Sequence, residues 1–155
     1  MIFCSNPKAQ YLAYKNEIDS AIQQVLSKGQ FILGENVDLF EKEFSEYTDS
    51  RHTIAVGSGT DALFIAMRAL GIEPGDEIIA PSHTATATIA AISMIGAIPV
   101  LTDVDPKYYT IDPISISQAI TPKTKGVVVV HMYGQPASMD EIIKITRQNN
   151  LKLIE

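Results

Sequence analysis

Apolar side chains recur every three or four residues over much of the first fifty positions. This spacing predicts a helix over residues 11–28, which Gly29 would end. A second helix is predicted to follow, with Asn36 as its N-cap. Its apolar stripe consists of Val37, Phe40, Phe44 and Tyr47. The first part of the chain, residues 1–50, is therefore expected to be a helical segment.

Beyond residue 50 the pattern changes to short apolar runs that alternate with amphipathic stretches. Strands are predicted at residues 52–56, 77–80, 98–104, 126–131 and 151–155, with a helix in each of the four intervals. Each helical crossover returns the chain in the same direction, so residues 51–155 predict an α/β domain with a mostly parallel sheet and flanking helices. No helix follows the last strand, and we therefore expect the domain to continue in a longer protein.

Three helix starts can be assigned from local sequence. Thr84 or a neighbour can cap one helix, and Asp112 followed by Pro113 is a good N-cap and first-turn pair for the next. Ser138 and Glu141 have the spacing of a capping box at the start of the last helix.

Composition narrows the class of protein. The 155 residues carry a net charge of −6, and acidic side chains gather on one face of the second helix, which argues against a nucleic acid or an anionic membrane as the main partner. There is no run of 18 apolar residues, and the first twenty residues lack the apolar core of a signal peptide. The single cysteine, Cys4, excludes an internal disulfide framework and fits a reducing compartment. We therefore expect a cytoplasmic protein.

The stretch AVGSGTDALFIAMRALG, residues 55–71, leaves the first predicted strand through glycines and hydroxyl residues and enters a helix at once. Gly59 would let the backbone approach a ligand, the amides at the helix start would point outward, and the hydroxyls of Ser58 and Thr60 would add donors. This composition predicts a site for the phosphate group of a small molecule.

Alternatives exist for that ligand and for the polar residues around it. GSGTDA satisfies the dinucleotide-binding pattern G-x-G-x-x-A, but the second strand ends in Pro81-Ser82-His83 and not in an acid for the ribose. The Walker pattern fails because no lysine follows the glycines. His83 and His131 both fall at carboxyl ends of predicted strands, where ligands of parallel sheets lie. His131 by itself can equally be a hydrogen-bonded structural histidine.

The order and spacing of the motifs resemble one enzyme family. The family is that of the DegT-type sugar-nucleotide aminotransferases, enzymes that depend on pyridoxal 5′-phosphate (PLP) and have the aspartate aminotransferase fold, fold type I. The similar segments are GSGTDALFIAMRALGIEPGDEIIAPSHTATATIAAI, PVLTDVDP, TIDP, AITPKTKGVVVVHMYGQPASMDEI and LKLIE, with FILGENVDLFEKEF as the entrance segment. The resemblance runs from about residue 8 to the end and implies a truncated large domain.

The resemblance implies roles for residues that would bind the cofactor. Ser58, Gly59 and Thr60 match the family's loop for the PLP phosphate. In many relatives an aromatic residue at the position of Ala85 stacks on the pyridine ring, and an alanine cannot do so. His83 is therefore expected to cover the ring instead.

The resemblance also implies substrate residues and places the catalytic ones elsewhere. Gly34 matches an entrance position near the bound sugar, and Tyr133 and Gln135 match the loop that shapes the substrate pocket. The aspartate that contacts the pyridine nitrogen and the Schiff-base lysine are expected beyond Glu155, so no catalytic residue is predicted in this chain. None of its nine lysines falls at the carboxyl end of a predicted strand, and no metal site is predicted.

By this resemblance the full-length protein would transfer an amino group, expected to come from glutamate, to a keto group of a nucleotide-linked sugar. Such a reaction belongs to deoxyamino-sugar and cell-surface polysaccharide biosynthesis, and family members usually work as homodimers. Three alternatives stay open. They are a PLP-dependent sugar dehydratase of the same family, a non-catalytic binding or regulatory protein, and an NAD-binding module.

Overall fold

The structure, a computed structural model, describes residues 4–155. The chain divides into two compact units, Met1–Ala55 and Val56–Glu155, called here the helical unit and the sheet unit. No helix among the described residues is long and apolar enough to cross a membrane.

The described part of the helical unit contains α1 (Pro7–Ala13), α2 (Lys15–Lys28) and α3 (Glu35–Thr48). The prediction of one helix over residues 11–28 is wrong at its start, because the backbone of Tyr14 leaves helical geometry at φ −115° and ψ 21°. The apolar spacing continues across Tyr14, so the pattern of apolar residues does not indicate that the helix is interrupted there. Gly29 follows α2 in the left-handed conformation, which confirms the predicted stop.

Gly34, and not Asn36, is the N-cap of α3. Asn36 lies inside the first turn, while the backbone of Gly34 is extended and its carbonyl accepts a hydrogen bond of 2.8 Å from the amide of Val37. In the described part of this unit no side chain of a helix is buried. The rings of Phe40 and Phe44, 5.5 Å apart, belong to an exposed apolar stripe.

Four parallel strands form the centre of the sheet unit. The elements are α4 (Gly59–Ala69), β1 (Glu77–Pro81), α5 (Thr86–Met94), β2 (Ile98–Thr102), α6 (Pro113–Ala119), β3 (Thr124–Val128), α7 (Met139–Gln148) and β4 (Lys152–Ile154). The strand order is β2-β1-β3-β4, and every pair is parallel. The predicted α/β class with a parallel sheet and flanking helices is confirmed.

Each face of the sheet packs against its own pair of helices. In β1, Ile78 packs into an apolar cluster with α4 and α5, whereas the next residue, Ile79, packs into a cluster with α6 and α7. Val128 and Val127 of β3 alternate in the same way. All four side chains are at most 1% exposed, as expected for a parallel sheet with both faces covered.

The strand predicted over residues 52–56 does not form. No described strand pairs with this segment, the side chain of Ile54 is 77% exposed, and the amide of Ala55 donates to the Glu41 carboxylate at 2.7 Å. A β-branched sequence favours extended backbone, but a strand also needs a hydrogen-bonding neighbour. The sequence alone could not reveal that this neighbour is missing from the described chain.

Asp112 is the predicted N-cap whose side-chain hydrogen bonds the structure confirms. Its carboxylate accepts hydrogen bonds from the amides of Ile114 (3.2 Å) and Ser115 (3.0 Å) and from the Ser115 hydroxyl (2.8 Å), with Pro113 in the first turn. Burial, the largest single influence, raises the pKa of Asp112, but these hydrogen bonds together outweigh it and hold the pKa below its ordinary value of 3.8.

The other two helices start at the predicted positions, Ser138 and a neighbour of Thr84, but neither N-cap makes a side-chain capping bond. Ser138 precedes α7 but its side chain makes no capping hydrogen bond, so the capping box with Glu141 does not form. Ala85, which has no polar side chain, precedes α5, and the Thr84 hydroxyl instead pairs with that of Thr88 at 2.8 Å. A short pattern permits a cap, while the side-chain conformation decides whether the bond is made.

Replacing Asp112 by alanine is expected to lower the free energy of unfolding by about 1 kcal/mol, because the amides at the start of α6 lose their acceptor. Denaturant unfolding at pH 7 measures the change. Ser138→Ala removes a side chain at an equivalent helix start that makes no capping bond, and is the matched control. Equal effects of the two substitutions would contradict the assignment.

The stabilisation by Asp112 is also expected to depend on pH. Because the folded-state pKa is lowered, the contribution is fully present above the unfolded-state value and is lost as the pH falls through the lowered value. Asp112→Asn keeps an acceptor but does not titrate. The difference in unfolding free energy between wild type and Asp112→Asn should stay constant above pH ~5 and shrink below pH ~4. A difference that is constant across the whole range would refute this account.

Candidate functional site

The carboxyl ends of β1 and β3 lie side by side because these two strands pair directly. From β1 the chain continues to β2 on one side, whereas from β3 it continues to β4 on the other. Ligands of open α/β sheets bind at such a reversal of strand order. The residues that follow β1 and β3 are therefore the first candidates for chemistry.

His83 and Tyr133 meet at this reversal point. The imidazole Nε2 lies 3.2 Å from the Tyr133 hydroxyl, and the ring centroids are 5.9 Å apart. Both residues are exposed, so a ligand can reach them. The resemblance implies that His83 contacts the cofactor and that Tyr133 borders the substrate. The structure brings these two side chains into direct contact.

Tyr109 is a third ring at this point, and the sequence analysis missed it. It meets His83 edge-on with the ring centroids 6.5 Å apart. Tyr109 lies in the connection after β2, where the sequence shows only a turn around Asp105 and Pro106. Tyr109 follows a predicted strand, so its position at the carboxyl edge of the sheet could have marked it as a candidate.

Tyr109 and Tyr133 share an uncommon backbone conformation. Their φ angles are +59° and +58°, in the left-handed region that non-glycine residues seldom occupy. Such a residue costs on the order of 1 kcal/mol or more, and it persists where the surrounding structure fixes it. The histidine between them is therefore flanked by two strained tyrosines.

The turn formed by residues 57–60, called here the glycine turn, leads into α4. The amides of Gly59 and Thr60 and the Thr60 hydroxyl make no hydrogen bond within the described chain. A Cβ added at Gly59 would meet no atom within 4 Å, so the space in front of the turn is open. Free amides at the start of an 11-residue helix favour an anion in that space.

The Ser58 hydroxyl is committed inside this turn. It accepts the Asp61 amide at 3.1 Å and lies 2.9 Å from the Asp61 carboxylate, to which it donates its proton. From the sequence, this hydroxyl is expected to be a further donor to the ligand, and Asp61 has no expected role. The structure instead assigns Asp61 to fixing the turn, which leaves the backbone and Thr60 as the available donors.

His131 and Glu155 form the second pair that the sheet edge brings together. The imidazole Nε2 lies 3.0 Å from the Glu155 carboxylate, and Nδ1 accepts the amide of Ala137 at 3.1 Å. Because Nδ1 accepts the Ala137 amide, this geometry places the ring proton on Nε2, which can donate it to the Glu155 carboxylate.

The structure also gives the local surroundings of Gln135 and Gly34, which were predicted for the substrate, and of Ala85, which was expected not to stack on a ring. Gln135 is exposed, and its amide nitrogen donates to the adjacent Pro136 carbonyl at 3.1 Å. Ala85 is exposed and offers no ring for stacking. Gly34 belongs to the helical unit, where it borders a cavity of about 220 Å³. A Cβ at Gly34 would come within 3.3 Å of Gln30, so this position requires glycine or a shift of Gln30.

No lysine of the described chain occupies the reversal point. Lys125 and Lys152 lie at the amino ends of β3 and β4, which is the opposite edge of the sheet. Lys107 lies on the carboxyl side of β2, is exposed, and places its ammonium 4.8 Å from the centre of the Tyr108 ring. The described residues contain no cluster of three or more His, Cys, Asp or Glu side chains that could hold a metal ion.

A family model and two curated proteins are similar to this chain. The model of the DegT/DnrJ/EryC1/StrS aminotransferase family matches residues 13–155. The dTDP-3-amino-3,6-dideoxy-alpha-D-galactopyranose transaminase of Aneurinibacillus thermoaerophilus is 46% identical over 144 residues, which are 93% of this chain and 40% of that protein. The dTDP-3-amino-3,4,6-trideoxy-alpha-D-glucose transaminase of Streptomyces venezuelae is 43% identical over 148 residues, 96% of this chain and 39% of that protein.

Solved structures show the same architecture. Streptomyces venezuelae DesV in complex with a ketimine intermediate has a TM-score of 0.93 at 42% identity, over 96% of this chain and 40% of its own. NtdA of Bacillus subtilis with bound cofactor PMP has a TM-score of 0.89 at 39% identity, over 91% and 32%. A GDP-4-keto-6-deoxymannose-3-dehydratase with a trapped PLP-glutamate geminal diamine has a TM-score of 0.80 at 31% identity, over 86% and 36%.

The chain thus spans about 40% of the length of the two transaminases it matches. The family model nevertheless covers most of the chain, including the glycine turn and the residues after β1 and β3. The chain belongs to the DegT/DnrJ/EryC1/StrS aminotransferase family.

Proposed function

We propose that this chain is the cofactor-binding part of a longer, PLP-dependent aminotransferase. Residues 1–50 would form an N-terminal helical segment, and residues 51–155 the first part of the PLP-binding large domain. The enzyme would transfer an amino group, with glutamate as donor, to a keto group of a nucleotide-linked sugar. The observation that carries the proposal is that the amides of Gly59 and Thr60 make no hydrogen bond within the described chain, while the space beside Gly59 at the start of α4 is open.

The residues present fit the phosphate group of PLP. Two amides, a threonine hydroxyl and a helix start form a cradle for a phosphate, and the lack of a side chain at Gly59 leaves room for it. Asp61 is compatible with a bound anion because its carboxylate accepts the Ser58 proton within the turn. When bound, the cofactor would supply an electron sink for the transfer of the amino group.

His83 and its neighbours would form the site beyond the phosphate cradle. His83 is proposed to cover the cofactor ring in place of the aromatic residue that Ala85 replaces. Tyr133, which holds His83 Nε2, and Gln135 would border the sugar. Gly34 would line the entrance, where a larger side chain would require a small shift of Gln30.

The reactive lysine and the acid for the pyridine nitrogen are proposed to lie in the part of the enzyme beyond Glu155. No lysine of this chain is assigned a chemical step, since none is described at the reversal of strand order. The 155 residues alone are therefore expected to be inactive. Their share of the reaction is to bind and orient.

A cytoplasmic homodimer is part of the same proposal. The described helices of the helical unit bury no side chain of their own, and Phe40, Phe44 and Tyr47 are between 45% and 87% exposed. A second copy that covers this stripe would remove the apolar surface from water.

A dehydratase is the second candidate function, because the chain is 31% identical to a sugar 3-dehydratase with a TM-score of 0.80. The two reactions give different products. An aminotransferase converts the keto group to an amine, whereas the dehydratase removes a hydroxyl group and leaves no new amine on the sugar.

Gly59→Pro in the full-length protein is expected to weaken PLP binding at least tenfold, because it removes one amide donor to a charged group. Proline is well tolerated in the first position of a helix, and Ser58 before it is extended as proline requires. Thr60→Val should weaken binding by a similar factor through loss of the hydroxyl. Absorbance titration with PLP measures both, and Ser138→Ala is the control for loss of a hydroxyl at a helix start. Unchanged affinity in the folded Gly59→Pro variant would refute the cradle.

The full-length protein, incubated with PLP, glutamate and a dTDP- or UDP-linked keto sugar, is expected to yield an amino sugar and 2-oxoglutarate. Mass spectrometry of the sugar nucleotide detects the amine, and 15N-labelled glutamate traces its source. A product that lacks a hydroxyl and carries no 15N would favour the dehydratase. PLP binding without any conversion over a panel of keto sugars would favour a non-catalytic binding protein.

A further inference from the structure

His131 uses both ring nitrogens to join three parts of the sheet edge. It follows β3, its Nε2 donates to Glu155 directly after β4 (3.0 Å), and its Nδ1 accepts the amide of Ala137 just before α7 (3.1 Å). The imidazole thereby closes the loop of residues 131–137. One nitrogen donates a hydrogen bond and the other accepts one, so a substitution can keep one of these bonds and remove the other.

The bond to Ala137 satisfies an amide that has little access to water. Ala137 is 6% exposed and belongs to the apolar cluster shared with α6 and α7. A buried amide without a hydrogen-bond partner is unfavourable in free energy. The bond from Ala137 to Nδ1 therefore stabilises this orientation of the imidazole. The end of the loop is therefore fixed to His131.

The middle of the same loop carries the strained Tyr133. Its φ is +58°, Gly134 follows at +79°, and the amides of Gly134 and Gln135 close a tight turn onto the carbonyls of His131 and Met132. A left-handed tyrosine needs surrounding contacts to persist. Besides its own turn, the loop is held by the His131–Ala137 bond at its ends and by the Tyr133 hydroxyl on His83.

We propose that His131 is a positioning residue: by accepting the Ala137 amide it fixes the loop that holds Tyr133 against His83. The effect of His131 on ligand binding rests on the proposed function, because His83 and Tyr133 are assigned there to the cofactor ring and the sugar. Its physical content, the dependence of the His83–Tyr133 pair on His131 Nδ1, does not require a cofactor.

Asparagine and glutamine each reproduce one half of the imidazole. His131→Asn places an amide oxygen near the position of Nδ1 and can accept from Ala137, whereas His131→Gln places an amide nitrogen near the position of Nε2 and can donate to Glu155. The loop should survive in the Asn variant and loosen in the Gln variant. His52→Gln is the matched control, because His52 is exposed and its side chain makes no hydrogen bond among the described residues.

The first measurement is NMR of the full-length protein without cofactor. In wild type, 15N spectra of the imidazoles should show His131 protonated on Nε2 alone, with scalar coupling across the bond from the Ala137 amide to Nδ1. The His83 resonances should shift in His131→Gln and stay near wild type in His131→Asn and His52→Gln. A proton on Nδ1 of wild-type His131, or equal His83 shifts in the Asn and Gln variants, would overturn the proposal. The wild-type spectrum can overturn the proposal even where a variant does not fold.

The second measurement is kinetic. His131→Gln is expected to raise KM for the keto sugar about fivefold with a smaller change in kcat, and His131→Asn should restore most of the loss. Tyr133→Phe removes the hydroxyl that reaches His83, so combining it with His131→Gln should add little further loss. Fully additive losses would show that His131 does not act through Tyr133. If the NMR results hold but no amino transfer occurs, the positioning role stands and the proposed function fails.

Discussion

The parallel pairing of β1 with β2 on one side and β3 on the other is the constraint on which the site depends. Parallel strands require long crossovers, and here those crossovers carry the helices that bury both faces of the sheet. The faces are therefore closed to ligands. The carboxyl edge is left as the place for chemistry, and the strand order reverses between β1 and β3, where His83 and Tyr133 meet.

At the glycine turn, the groups that fix the local structure lie next to the amides of the proposed phosphate cradle. A helix start has amides that need acceptors, and Ser58 satisfies only the amide of Asp61. Asp61 in turn takes the Ser58 proton, so the turn holds its shape by itself. The amides of Gly59 and Thr60 are left unpaired in the described chain. A turn held by its own hydrogen bonds would lose little conformational entropy if it bound an anion.

Local patterns predicted the elements of the sheet unit well and their contacts poorly. The buried run around Val127 and the Asp112 cap follow from neighbouring residues in the chain, and both are confirmed. The strand at 52–56 failed because pairing depends on a distant partner. Tyr109 was missed for a related reason, since its contact with His83 spans 26 positions of sequence and arises only when β1 and β2 lie side by side.

The two left-handed tyrosines show how the edge can hold a histidine in place without burying it. His83 is exposed, so packing alone does not fix its ring. The Tyr133 hydroxyl and His83 Nε2 share a hydrogen bond, and Tyr109 makes an edge-on ring contact from the connection after β2. Each of these tyrosines adopts a backbone conformation that costs on the order of 1 kcal/mol or more, which a flexible surface loop would relax. Retaining two such residues around one imidazole is consistent with a site whose ring orientation is set before a ligand binds.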